Sequence, residues 1–266
     1  MLSLAWITFK EGLKNRALFG LLIMVIFMFA VTVTLTNLFM RDIIKVASDL
    51  SLATISFSGL LLVMFIGINL LAKDIDKRTI YMVISRPISR AEYIVGKFCG
   101  LSVLVIASVL FVGIISTLPV FLSGLGYSNP MSIFKWDIYF TAIVFIAMKL
   151  VLLTSVIVFF SSFTSTSFIS LVLTIATYII GSTTEVVRGL LDVKTEGMDI
   201  SPAIAAIIKI VYYIFPNFSA FDLKLQASHG LAIPDGYILW TTLYWIFYMG
   251  IMISAGAIIM KRREFP

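Results

Sequence analysis

Two features of this 266-residue chain combine residue type and spacing in a way that could act on another molecule. The first is Lys149, the one charge inside an otherwise apolar stretch, Ile138–Phe160. It lies 11 residues from either end, about 16 Å at ~1.5 Å per residue, more than a lysine stem spans alone. Burying a lysine at that depth costs roughly 2.5–3.5 kcal/mol on insertion scales, so it must face a polar interior. One reading is a contact for an anionic headgroup on a substrate pathway. The other is a structural lysine shared between helices or held neutral, with Asn69, Tyr178 or Thr154 as neutral partners. The second feature is the run Asp74-Ile75-Asp76-Lys77-Arg78-Thr79-Ile80-Tyr81-Met82-Val83-Ile84-Ser85-Arg86-Pro87-Ile88-Ser89-Arg90. Its mixed charge and the apolar stretch Ile80–Ile84, in a segment facing water, describe a docking surface rather than a plain basic loop.

Other chemistries lack their residues. Metal catalysis needs clustered histidine, cysteine or carboxylates, and the chain has one histidine, His229, and one cysteine, Cys99. A phosphate cradle needs Gly-x-x-x-x-Gly-Lys-Ser/Thr ahead of a helix, and no stretch matches. No histidine lies in an apolar stretch to serve a buried serine nucleophile. The basic residues sit beside the apolar stretches, as at a membrane face, which argues against nucleic acid. The sequence therefore predicts no catalytic residue, no metal and no bound cofactor.

The elements that carry these residues are membrane spans. The chain is 60% hydrophobic and 13% charged, about half the charge of a soluble domain. A helix crosses the hydrocarbon core with about 20 apolar residues. Six stretches qualify: Ala17–Thr36, Ser51–Ala72, Gly100–Leu122, Ile138–Phe160, Ser167–Thr184 and Ile238–Met260. They are apolar on every face, unlike the alternating strands of a barrel. The expected fold is all-α, a polytopic bundle of six spans in one membrane domain over 1–266. Ala203–Phe215 has 13 residues and is too short to cross, so it reads as re-entrant or interfacial.

An even number of spans puts both termini on one side. Twelve Lys/Arg lie on that side and seven on the other. Basic residues favour the cytoplasm, so both termini are expected there, in a cytoplasmic (inner) membrane. Residues 1–16 read as an interfacial helix, with Leu2, Ala5, Trp6, Phe9 and Leu13 at helical spacing. Residues 73–99 are then a cytoplasmic loop in which a short helix over Thr79–Ile84 ends before Pro87. Ser89 and Glu92 form a capping box that opens the next helix. Residues 185–237 are expected to be the longest soluble piece, on the outer side, with a turn at Pro216-Asn217.

With these residues in place, the chain resembles the permease subunits of the type-2 ATP-binding-cassette (ABC) exporter family. The resemblance rests on the N-terminal helix, the six spans and Asp76-Lys77-Arg78-Thr79 … Ser85-Arg86-Pro87-Ile88-Ser89-Arg90 … Gly96-Lys97. It continues through Phe160-Ser161-Ser162-Phe163, Pro216-Asn217-Phe218 and the basic ending Lys261-Arg262-Arg263-Glu264-Phe265. Arg78 stands where many relatives carry glycine. The resemblance implies a half-transporter: two such permeases, identical or homologous, pair and receive two separate cytosolic ATPase subunits, which hold ATP and Mg. Their closure is transmitted through the loop, with Asp74, Asp76, Lys77, Arg78, Thr79, Tyr81, Val83, Ser85, Pro87, Ser89 and Arg90 as coupling residues. Three readings follow: an exporter moving substrate across or between lipid leaflets, a non-translocating transducer acting on an extracytoplasmic partner through 185–237, or an ion-coupled carrier. The last usually needs acids within spans, and the predicted spans contain none.

Overall fold

The computed structural model describes residues 2–38, 43–67, 89–125, 134–164, 166–192 and 202–262, and among these the regular structure is helical throughout. In chain order the helices are α1 (Leu2–Leu13), α2 (Arg16–Leu38), α3 (Ile43–Leu62), α4 (Arg90–Leu125), α5 (Trp136–Phe163), α6 (Ser167–Asp192), α7 (Pro202–Ile214), α8 (Lys224–His229) and α9 (Tyr237–Arg262). Helix α3 runs on as one π-helical turn, Val63–Gly67. Six of them (α2, α3 with its π turn, α4, α5, α6 and α9) are long and apolar enough to cross a membrane. The protein is an all-α polytopic bundle, as its sequence predicts.

Helix α5 forms the axis. It packs most extensively against α9, and also against α3, α4 and α6. Leu152, Leu153 and Ile157 on it are fully buried. Helices α2 and α9 lie at the periphery and turn large apolar side chains outward, among them Ile23, Ile26 and Phe27 on α2 and Trp240, Phe247 and Ile251 on α9. In water that would be a severe liability; in lipid it is the favoured surface, because the surrounding tails are as apolar as leucine.

Hydroxyl groups are frequent inside these helices, and hydrocarbon offers them no water to bond. Most turn back on their own helix. Thr32 donates to the Met28 carbonyl at 2.8 Å, Thr54 to Leu50 at 2.8 Å, Ser58 to Thr54 at 2.7 Å and Thr154 to Leu150 at 2.9 Å. Between helices the contacts are direct: Gly59 of α3 meets Leu150 of α5, and the Trp245 indole of α9 donates to the Met148 carbonyl at 2.8 Å.

Helix α4 is 36 residues long, about 54 Å at ~1.5 Å per residue, whereas the hydrocarbon core is ~30 Å thick. Its first turns, with Arg90, Glu92 and Lys97, therefore reach past the apolar stretch that begins at Gly100. Helix α1 lies against this part of α4. The end of α9 arrives at the same place, since the Arg90 guanidinium donates to the carbonyls of Met260 at 3.4 Å and Lys261 at 3.5 Å. This is the basic end of the bundle.

The described part of 185–237 is folded onto the bundle, and the short stretch expected over Ala203–Phe215 is helical. Helix α6 continues to Asp192, and α7 is a 13-residue helix, about 20 Å long and too short to cross. The chain then folds back inward, burying Phe218 and Phe221 completely, and α8 packs against α3 and α5. The aromatic side chains of this segment have more to gain among α5, α6 and α9 than at an outer surface.

Candidate functional site

Two places gather the chemistry. At the basic end, most of the predicted coupling residues (Asp74, Asp76, Lys77, Arg78, Thr79, Tyr81, Val83, Ser85 and Pro87) lie outside the described residues, as does the short helix expected over Thr79–Ile84. The exit of that loop is described. The Ser89 backbone N–H donates to Glu92 Oε2 at 3.0 Å, and the Glu92 N–H donates to Ser89 Oγ at 3.2 Å. That reciprocal pair is the expected capping box, and it fixes the direction in which the chain enters α4. Next to it, Arg90 reaches the carbonyls that end α9, which are among the last four of a helix and have no partner of their own.

Two turns further along α4, Lys97 is almost fully buried and pairs with Glu11 of α1 at 3.8 Å. The approach of α1 is set by two glycines. A Cβ on Gly100 would stand 2.5 Å from the Ala5 carbonyl oxygen and 2.7 Å from Thr8 Cβ, and one on Gly96 would stand 2.8 Å from Leu4 Cδ2. Thr8, wholly buried in this seam, satisfies its hydroxyl on the Leu4 carbonyl at 2.9 Å. Leu2, Trp6, Ile7 and Leu13 stay exposed on the remaining surface of α1. The apolar side chains at helical spacing were legible in sequence. The seam was not singled out, although Gly96-x-x-x-Gly100 is the small-residue spacing that lets helices approach closely.

The second place is the interior lysine. Lys149 is 8% exposed on α5, and its Nζ lies 5.3 Å from the centroid of the Tyr178 ring of α6. Tyr178 is one of the three neutral partners expected; Thr154 donates to its own helix instead, and Asn69 lies outside the described residues. The Asp222 carboxylate, carried inward by the folded-back segment, is in electrostatic reach of the ammonium. It also pairs with Lys224 at 3.5 Å. Asp222 belongs to the stretch that the sequence reading places outside the spans.

That segment is held by Asn217. Its backbone N–H donates to the Tyr244 hydroxyl at 2.8 Å, its side-chain amide to Glu185 at 2.5 Å, and its Oδ1 accepts from the N–H of Ser219 at 3.0 Å and of Ala220 at 3.3 Å. Phe218 N–H donates to the Gly181 carbonyl at 2.9 Å, and the Ser219 hydroxyl to that of Ser182 at 2.8 Å. Gly181 is needed there, since any side chain would run into the Pro216 carbonyl and the Phe218 ring. On the other side Tyr237 donates to the Ala220 carbonyl at 2.7 Å and stacks on Phe145 at 6.3 Å. The turn signal at Pro216-Asn217 is visible in sequence; its inward direction is not.

The geometry thus defines a multi-pass membrane protein that joins α1, α4 and α9 at its basic end and holds a charged cluster among α5, α6 and the inward fold. A family model described as ABC-2 family transporter protein matches residues 2–187. The chain belongs to that family, whose members are membrane permeases of ABC transporters. The match runs from α1 into α6 and takes in Lys149 and the loop before α4; Pro216-Asn217-Phe218 and the basic ending lie beyond it. No curated protein matches the chain.

Proposed function

We propose that this permease is half of an ATP-driven exporter whose ATP and Mg are bound by a separate cytosolic ATPase. Two permeases, identical or homologous, pair in a cytoplasmic (inner) membrane with the basic end and both termini in the cytoplasm. Two ATPase subunits dock on the loop 73–89, with Tyr81 and Val83 at the apolar centre of the contact and Asp74, Asp76, Lys77, Arg78, Thr79, Ser85, Pro87, Ser89 and Arg90 around it. The chain holds no cofactor of its own.

The observation that supports this reading is the clamp at the loop's exit. Ser89 and Glu92 fix the chain as it enters α4, Arg90 ties that entry to the end of α9, and Lys97 ties it to α1. A displacement of the loop therefore has three helices to pull on, which is what converts closure of an outside subunit into a change within the membrane. The transducer reading would pass the motion to an extracytoplasmic partner through 185–237. The inward packing of Phe218 and Phe221 favours the exporter, because it commits the centre of that segment to its own bundle.

Charge insertion tests the docking. Tyr81→Asp and Val83→Asp should each insert normally and abolish co-purification of the ATPase, since a minority of interface positions carries most of the affinity and a desolvated charge at such a position costs several kcal/mol. Retained co-purification with charge inserted at every position from Ile80 to Ile84 would refute it. Movement of labelled lipid or solute in vesicles containing the assembled complex separates exporter from transducer.

A further inference from the structure

Between α2, α3 and α4 lies an apolar cavity of about 380 Å³ that plays no part in the transport scheme above. Its floor is fully buried, formed by Val25 of α2, Ile55 of α3 and Val109 of α4, while Phe19 and Phe111 at its rim are more than half exposed. Along α2 it is lined from Leu18 to Val25, about 10 Å at ~1.5 Å per residue, and Leu13 of α1 extends it toward the basic end. The chain reverses there. Asn15 Oδ1 accepts from the Ala17 N–H at 3.0 Å, capping α2 directly after α1 has ended. The exposed Lys14 and Arg16 therefore stand between two residues that line the cavity, Leu13 and Leu18. Lys10 precedes Lys14 by one turn of α1, and Glu11, the acid among them, is paired with Lys97.

A hydrocarbon slot flanked along the chain by exposed cations that do not line it has the chemistry of an anionic phospholipid. We propose that this cavity is a binding site for one such lipid, with its phosphate on Lys14 and Arg16 and one acyl chain along α2 against Val25, Ile55 and Val109. A zwitterionic lipid would fill the slot equally well and lose the net charge attraction. The occupant fills a gap behind α2, a spanning helix as little enclosed as α9, and so braces the α1–α2 corner against α4. The leaflet concerned, the cytoplasmic one, rests on the orientation proposed above; the cavity and its cations do not.

The test is native mass spectrometry of the full-length permease in its native assembly, exchanged into matched-chain phosphatidylglycerol and phosphatidylcholine. Phosphatidylglycerol should be retained roughly thirtyfold better, or ~2 kcal/mol at ~1.4 kcal/mol per tenfold, for two cations near an anionic surface. Lys14→Gln with Arg16→Gln should remove that preference. Ala107→Phe, which puts a ring into the cavity from its α4 wall, should abolish retention of both lipids. Val103→Phe, one turn back on α4 and outside the lining, should change nothing and reports whether a ring on this face is tolerated. Equal retention of the two lipids by the native chain, or phosphatidylglycerol still held by Ala107→Phe, would overturn the site and leave ordinary annular lipid. Because the readout is lipid occupancy, failure of the ATPase docking described above leaves it unaffected.

Discussion

Lys149 shows how a buried charge is tolerated at the scale of one residue. Its burial costs roughly 2.5–3.5 kcal/mol, and a desolvated cation over an aromatic ring, here Tyr178, returns about 2 kcal/mol. If Lys149 acts as a fastening for the segment Pro216–Asp222, its removal should loosen that segment. Lys149→Met keeps the volume and removes the charge, so the net effect on stability should be small, within about 1 kcal/mol, as the two terms cancel. The fastening predicts faster hydrogen exchange at residues 217–223, with transport reduced alongside. Transport lost at unchanged exchange would instead make Lys149 the contact for an anionic substrate headgroup; unchanged exchange with full transport would leave it neither role. The lysine is legible in sequence as the one charge in a span, and Tyr178 as one of three neutral candidates beside Asn69 and Thr154. Asp222 is not, because a carboxylate in a presumed outer loop reaches the interior only if the backbone folds back.

At the scale of an element, the N-terminal helix carries the same lesson. Its apolar residues at helical spacing predict a helix at the membrane face, and α1 does keep Trp6 and Leu13 exposed. What holds it is the opposite seam, where Thr8 and Gly12 are buried and Gly96 and Gly100 admit the backbone of α1. Gly100→Val should force α1 off α4, at a cost of about 1–3 kcal/mol for overpacking. In a Cys99→Ser background, Thr8→Cys should then pass from protected to readily labelled by a thiol reagent. Continued protection of Thr8→Cys when combined with Gly100→Val would show that the seam can yield without releasing the helix. If the clamp at the loop's exit transmits the ATPase stroke, the same Gly100→Val variant should also lower ATP-driven transport while leaving ATPase binding intact.

At the scale of the whole molecule, six spanning helices place the start of α4 and the end of α9 together, and the bond from Arg90 to Met260 joins them. Single-cysteine labelling with an impermeant reagent should therefore find positions 76 and 261 on one side and 42, 135 and 196 on the other. The positive-inside excess assigns the first pair to the cytoplasm. Labelling of position 196 together with 76 would break the six-span topology, at α6 or α7. The sequence by itself determined the solvent, the fold class and the number of helices long and apolar enough to cross. Those follow from hydropathy summed over some 20 residues, which no tertiary contact is strong enough to reverse. It also determined the start of α4, because a capping box is a local bond between residues three apart. Only the tertiary structure decided that Pro216–Asp222 turns inward, that the Tyr178 ring lies over Lys149, and that α1 is seated by glycines on α4. Each of these joins residues far apart in the chain through close approach of backbones, and hydropathy along a single segment does not say which neighbour it meets.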